Sequence, residues 1–258
     1  MTVAAVYDIH GNLPALEAVL AEIRSENIDQ IIVGGDVVPG PMPRETLMCL
    51  LQVATPIHFI YGNGEVAVLA EMEGKDPAVP EQIREAIRWT ARQLTSDDRR
   101  VLASWPKTVR LEINGVGEVL FCHATPQNEN DIFTRLTPDD RLLPIFENCN
   151  ADVVVCGHTH MKFDRKIGKV RVINAGSVGM PFGRPGANWL LLGPDVRFQH
   201  TVYNLQSAAE RIRRTNYPQA QEFAERNVLR SPSEEQMLKA FAGTELKPLA
   251  STPDRRTG

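Results

Sequence analysis

The chain has 258 residues, of which 43% are hydrophobic and 23% charged, ordinary proportions for a globular protein able to bury a full core. Its formal net charge of −4 argues against gripping duplex nucleic acid, which needs a basic face. Four cysteines (Cys49, Cys122, Cys149 and Cys156) without CxxC spacing are too sparse for a disulfide scaffold and fit a reducing compartment.

In chain order, "TVAAVY" is an apolar strand that stops at Asp8. It is too short for a secretory signal, and no later run reaches membrane-spanning length, so a soluble, cytoplasmic protein is expected. After Asp8, Asn12 suits an N-cap and Pro14 a first helical turn, with Leu13, Leu16, Val19, Leu20 and Ile23 at helical spacing. The pattern recurs twice. "QIIVGGD" is a strand ending at Asp36 with a helix from about Pro43 to Val53, and "PIHFIYGNG" is a strand ending at Asn63 with a helix from about Glu65. Although Asn-Gly is a strong hairpin signal, strand before and helix after make this a loop. Three such units imply a parallel sheet.

Residues 76–106 read as a helical insertion with Ile83, Ile87, Leu94, Leu102 and Trp105 as inward positions. "TVRLEINGVGEVLFCH" is a hairpin turning at Asn114-Gly115 and ending at His123. A helix follows from about Pro138 to Cys149, then the buried strand "ADVVVCGHTH". "KVRVINAG", "NWLLLG" and "DVRFQHTVYNL", with turns at Gly168 and Pro194-Asp195, read as an antiparallel sheet. Helices are expected from about Gln206 and Pro232. The organisation is one domain over 1–242, with 243–258 a flexible tail.

Five strands end on side chains that bind metals or move protons: Asp8 and His10, Asp36, Asn63, His123, then His158 and His160. Ligands of α/β sheets bind outside the carboxyl ends of strands, so these seven should converge. His58 and His200 fall inside strand patterns and read as structural. Two divalent ions, each with four protein ligands and one carboxylate in common, need seven groups. A mixed Asp, His and Asn set suits Mn²⁺, Fe²⁺ or Zn²⁺, and the lack of thiolates disfavours a closed zinc site. The i, i+2 pairs Asp8/His10 and His158/His160 would point to one side of an extended segment.

Asp8-x-His10, Gly35-Asp36, Gly62-Asn63, His123 and Gly157-His158-Thr159-His160, in this order, resemble the motif series of the calcineurin-like metallophosphoesterase superfamily. "NAGSVGMP" from Asn174 extends the resemblance over roughly residues 1–205. It implies an α/β fold, a four-layer α-β-β-α sandwich of two mixed sheets with the helical insertion. By position, Asp8, His10, Asp36 and His160 would hold one metal, and Asp36, Asn63, His123 and His158 the other, Asp36 bridging. Asp36, Asn63 and His123 are thus the candidate catalytic residues.

One departure stands at Gly64. Many relatives carry a His there, paired with an acidic residue, as the candidate general acid. Here the acidic residue persists as Glu65, and a branch of bacterial and archaeal phosphodiesterases also lacks the His. The short form with an insertion resembles the branch that includes dinucleoside polyphosphate hydrolases. The expected activity is hydrolysis of a phosphodiester or a phosphoanhydride such as a nucleotide by a metal-bridging hydroxide, with Asn12 and Arg184 contacting substrate. The alternatives are a phosphomonoesterase acting on phosphoproteins and a non-catalytic interaction module. The expected partner is a small phosphoester or nucleotide, not duplex nucleic acid or membrane, with homo-oligomers left open. Without the imidazole, space beside the metals should admit a second ester group, and Gly64→His should add an acid while removing that room.

Overall fold

The computed structural model describes residues 1–246. Three β-α units open the chain: β1 (Val3–Val6) with α1 (Leu13–Ser25), β2 (Gln30–Val33) with α2 (Pro43–Leu51), and β3 (Ile57–Phe59) with α3 (Asn63–Met72). Asn12 caps α1 and Pro14 sits in its first turn. The insertion is α4 (Glu81–Gln93) and α5 (Ser96–Ala103), the latter started by a capping box between Thr95 and Asp98. Next come the hairpin β4 (Thr108–Ile113) and β5 (Gly117–Cys122), α6 (Asp139–Phe146), and β6 (Val153–Cys156). β7 (Phe163–Ile167), β8 (Val170–Asn174), β9 (Ala187–Leu192) and β10 (Val196–Thr201) complete the strands. The helices α7 (Leu205–Arg213), α8 (Ala220–Phe223), a π-helical turn (Ala224–Leu229) and α9 (Glu234–Phe241) follow.

The strands form two five-stranded mixed sheets, ordered β10-β9-β1-β2-β3 and β4-β5-β6-β8-β7. In the first, β1, β2 and β3 are parallel and β9 and β10 add antiparallel at one edge; in the second, β5, β6 and β8 are parallel and β4 and β7 add antiparallel at the two edges. Alternation along the buried strands sets the layers. Val3, Ala5 and Tyr7 face Phe121, Val153, Val155 and Ile173 across the inter-sheet core, while Ala4 and Val6 pack on α1 and α2. Leu120, Cys122, Val154 and Cys156 point the other way, to Leu142 and Phe146 of α6. This is the expected four-layer α-β-β-α sandwich.

The last strands depart from the sequence reading. β8 joins the second sheet, parallel to β6, whereas β9 and β10 join the first, so the three do not make one antiparallel sheet. Residues 175–186 form a long loop that carries the chain from one sheet to the other. In the insertion Leu102 and Trp105 are buried as expected, but Ile83 is turned outward. Residues 247–258 of the expected tail lie outside the described residues. Two residues at its start bond to the segment before α6: the Leu246 N–H donates to Ile132 O, and Thr134 Oγ1 donates to Glu245 Oε1 at 2.7 Å.

Candidate metal centre

The loops after β1, β2, β3, β5 and β6 leave the same end of the two sheets, and their side chains meet there. Among the described residues, seven non-glycine residues have positive φ, and five of them are Asp8, His10, Asp36, His158 and His160. Left-handed backbone is disfavoured for side chains other than Asn, Asp and His, so its concentration here marks loops shaped for a site. It also corrects the expectation that the i, i+2 pairs lie on extended segments: two left-handed residues, not a pleat, turn each pair inward.

Second contacts fix each ring. His10 Nδ1 lies 3.3 Å from Pro39 O, His123 Nδ1 2.9 Å from Gly34 O, and His160 Nδ1 3.0 Å from Met180 O. Carbonyl oxygens only accept, so each Nδ1 carries the hydrogen and each Nε2 presents a lone pair. These lone pairs face other acceptors. His10 Nε2 is 3.1 Å from His160 Nε2, and His123 Nε2 is 3.0 Å from Asn63 Oδ1. Asp36 spans the two groups, with Oδ2 3.6 Å from His10 Nε2 and Oδ1 3.6 Å from His123 Nε2. Asp8 Oδ1 lies 3.5 Å from His160 Nε2, buried and without a hydrogen-bond partner. Apart from Asp36 Oδ1, which accepts from the Gly64 N–H at 2.7 Å, these acceptors face one another without a donor, an arrangement that fits cations. Asp8, His10 and His160 form one triad of ligand atoms, and Asp8, Asp36 and His123 a second. His158 packs edge-on against His123, ring centroids 5.1 Å apart, but belongs to neither triad.

Protonation agrees. Burial lowers the pKa of His10 and takes His158 to about 4, leaving neutral imidazoles at pH 7. Burial pushes Asp8 up, yet the imidazoles of His160, His123 and His10 hold it down to about 2. Burial also opposes charge on His123, but Asp36 and Asp8 outweigh it and raise its pKa. A metal ion competes with that proton for the same electrostatic well.

Glu65 holds the scaffold. Its buried carboxylate accepts from the N–H groups of Asp36 (2.8 Å), Val37 (2.7 Å), Val38 (3.3 Å) and Gly62 (2.8 Å), stitching the β2 loop to the β3 loop. Burial and then the Asp36 charge push its pKa up to about 7 against those donors. Tyr7, absent from the sequence-based site, does the same between sheets. Its hydroxyl donates to Val155 O at 3.0 Å, and a Cβ on Gly34 or Gly157 would come within 2.0 or 2.6 Å of its ring. The signal was present: a large aromatic in the strand facing the other sheet, with glycines in two of the loops. "NAGSVG" is a further strap. Asn174 Nδ2 donates to Gly157 O at 2.6 Å, and Ser177 Oγ to Asp8 O at 2.7 Å.

Neither expected substrate contact lines the cleft. Asn12 is fully buried, accepting from Ala15 N and donating to Gly179 O at 2.9 Å, so it is framework. Arg184 is exposed and does not line the cleft. Gly64 is not open space either: a Cβ there would sit 2.2 Å from Pro39 Cγ and 2.8 Å from Asp36 Oδ1, which accepts from the Gly64 N–H at 2.7 Å. As expected, His58 and His200 are structural, paired with Gln30 and Asn188.

A cleft of roughly 670 Å³ opens beside His10, Asp36 and Asn63, walled by α4, the Met180–Phe182 loop and the segment from α8 to α9. Among the described residues no helix is long and apolar enough to cross a membrane.

Compared over 243 aligned positions, the chain is 28% identical to the uncharacterized protein MJ0912 of Methanocaldococcus jannaschii, covering 84% of this chain and 94% of that one. The fold is similar to that of hypothetical protein PH1004 from Pyrococcus horikoshii OT3, with a TM-score of 0.77, 20% identity, and coverage of 90% of this chain and 99% of that one. A metallophosphoesterase from Sphaerobacter thermophilus superposes with a TM-score of 0.67 at 25% identity, over 88% of this chain and 97% of that one. The sequence profile of the calcineurin-like phosphoesterase superfamily domain matches residues 1–193, from before β1 to just past β9, and so takes in every strand-end ligand described above. By that match the chain belongs to the calcineurin-like phosphoesterase superfamily.

Proposed function

We propose that the protein hydrolyses phosphodiesters or phosphoanhydrides with two divalent ions (Mn²⁺, Fe²⁺ or Zn²⁺) held by Asp8, His10, Asp36, Asn63, His123, His158 and His160. The observation that carries this reading is the meeting of three imidazole Nε2 atoms, an amide oxygen and two carboxylates at one point, with Asp8 Oδ1 buried and unpartnered. When bound, the ions supply Lewis acidity and an activated water, its pKa lowered from about 15.7 towards 7.

The chain's own part is positional. Carbonyl oxygens of Gly34, Pro39 and Met180 fix the ring tautomers, and Glu65 fixes the loop that carries Asp36. No side chain stands at Gly64 to protonate a leaving group, because the Pro39 ring fills that place. This supports substrates whose leaving group departs as a stable anion: an activated ester, or an anhydride whose departing phosphate has a second pKa of about 6.

Metal-reconstituted protein assayed on aryl monoesters, aryl diesters, cyclic nucleotides and dinucleoside polyphosphates tests the reading. Turnover of diesters or anhydrides above alkyl monoesters is expected. Asp36→Asn, which removes a charge facing both groups, should lose metal content and activity together. Two ions per chain in that variant by elemental analysis would overturn the assignment.

A further inference from the structure

The cleft beside His10, Asp36 and Asn63 is lined mainly by apolar side chains, among them Val79, Ile83 and Ile87 from the insertion side and Phe182, Phe223 and Met237 opposite. Ile83 is 41% exposed, and its position on a concave wall next to the metal centre gives that exposure a purpose. Apart from the His10 imidazole, the cleft has one cationic side chain, Arg226, whose guanidinium lies 3.0 Å from Glu222. A polyphosphate chain would therefore meet a single cation that is already paired. The polar points away from the metal centre are uncharged apart from the Arg226–Glu222 pair: Gln82, Tyr217, Gln219, Thr90, whose Oγ1 is buried without a hydrogen-bond partner, and Asn227, presented by the π-helical turn, a rare geometry concentrated at functional sites.

We propose that this cleft seats the retained ester group of a monoanionic phosphodiester, and that this group is bulky, uncharged and aromatic. The proposal rests on the hydrolytic reading above and selects the diester from its two substrate classes. The single negative charge faces the metal centre, and the retained group is desolvated between α4 and the Phe182–Phe223 side. A nucleobase and a simple aryl group share this chemistry.

Three substrates with one leaving group and the same alkyl-ester electronics separate these cases: methyl, 3-phenylpropyl and thymidine 5′ esters of p-nitrophenyl phosphate. Burial of the larger group should raise kcat/KM at least about tenfold over the methyl ester, chiefly through KM. Ile83→Lys, placed on a half-exposed helical face and checked for folding by circular dichroism, should cut that gain below about threefold. Equal gains for both bulky esters identify an apolar recognition. A gain for thymidine alone identifies a nucleoside, and one for phenylpropyl alone an aryl or lipid-like group. Bulky esters no better than methyl, a gain untouched by Ile83→Lys, or diadenosine tetraphosphate turned over faster than every diester would each overturn the proposal.

A readout independent of turnover is the NMR shift of the Ile83 methyl in metal-free protein on adding thymidine or 3-phenylpropanol, with methanol as control. A shift without any hydrolysis would leave the cleft assignment standing and sink the hydrolytic reading. Hydrolysis without size discrimination or shift would do the reverse.

Discussion

Gly64 illustrates how a single hydrogen-for-methyl change bears on the centre. A Cβ at this position meets the Pro39 ring and an Asp36 oxygen, so Gly64→Ala and Gly64→His should both disturb Asp36. We expect lower metal content and lower Tm in each, with no gain on alkyl monoesters. Elemental analysis and kcat/KM measure this, and a gain in monoester turnover with metals retained would show that Pro39 yields. Asp98 gives a pH signature. Burial pushes its carboxyl up, but the Thr95 N–H and hydroxyl and the Arg44 guanidinium outweigh it and hold the pKa below its ordinary value. A depressed folded pKa stabilises above the unfolded value of about 3.9 and is lost as pH falls through the folded one. Asp98→Asn should therefore cost about 1 kcal/mol at pH 7 and nothing once both forms are protonated, read from denaturant midpoints across pH. Sequence alone identified the ligand types, because strands that end on Asp, Asn and His are chemically conspicuous. It misjudged Asn12 and Gly64, because whether a polar side chain is spent on its own loop, or a glycine faces a proline ring, depends on contacts between segments distant in the chain.

At the scale of elements, the insertion does two jobs on two faces. α4 turns Ile83 to the cleft, while Leu102 of α5 and Trp105 just beyond it are buried against the first sheet, Trp105 stacked on Phe59 at 4.7 Å. Excising it would thus open the core as well as the cleft, so point substitutions are the cleaner probe. Trp105→Ala should destabilise by about 3–5 kcal/mol by chemical denaturation. A cost below about 1 kcal/mol would mean that the stacking contributes little. The β-α units and the β4–β5 hairpin were legible from periodicity and turn residues. β7 was missed because its middle residues Asp164, Arg165 and Lys166 hide the two buried ends, and the π-helical turn has no periodicity of its own to announce it.

For the whole molecule, the centre lies on the seam between the sheets. Asp8, His10, Asp36 and Asn63 come from the first, and His123, His158 and His160 from the second. Cations that neutralise facing acceptors on both sides should act as a clasp on the sandwich. Chelation is expected to lower Tm, and restored Mn²⁺ or Zn²⁺ at about a hundred times its Kd should return roughly 2.7 kcal/mol, by differential scanning fluorimetry. An unchanged Tm on chelation would show that the seam holds without ions. The seam also sets a timetable. β1 keeps one edge open until β9 arrives to pair Val3 with Leu192, so a chain under synthesis carries all seven candidate ligands, residues 8 to 160, before the sheet under four of them is closed. A fragment that stops short of β9 therefore holds every candidate ligand on a sheet with an unpaired central edge, and the ligands gain their final spacing only when β9 closes that sheet.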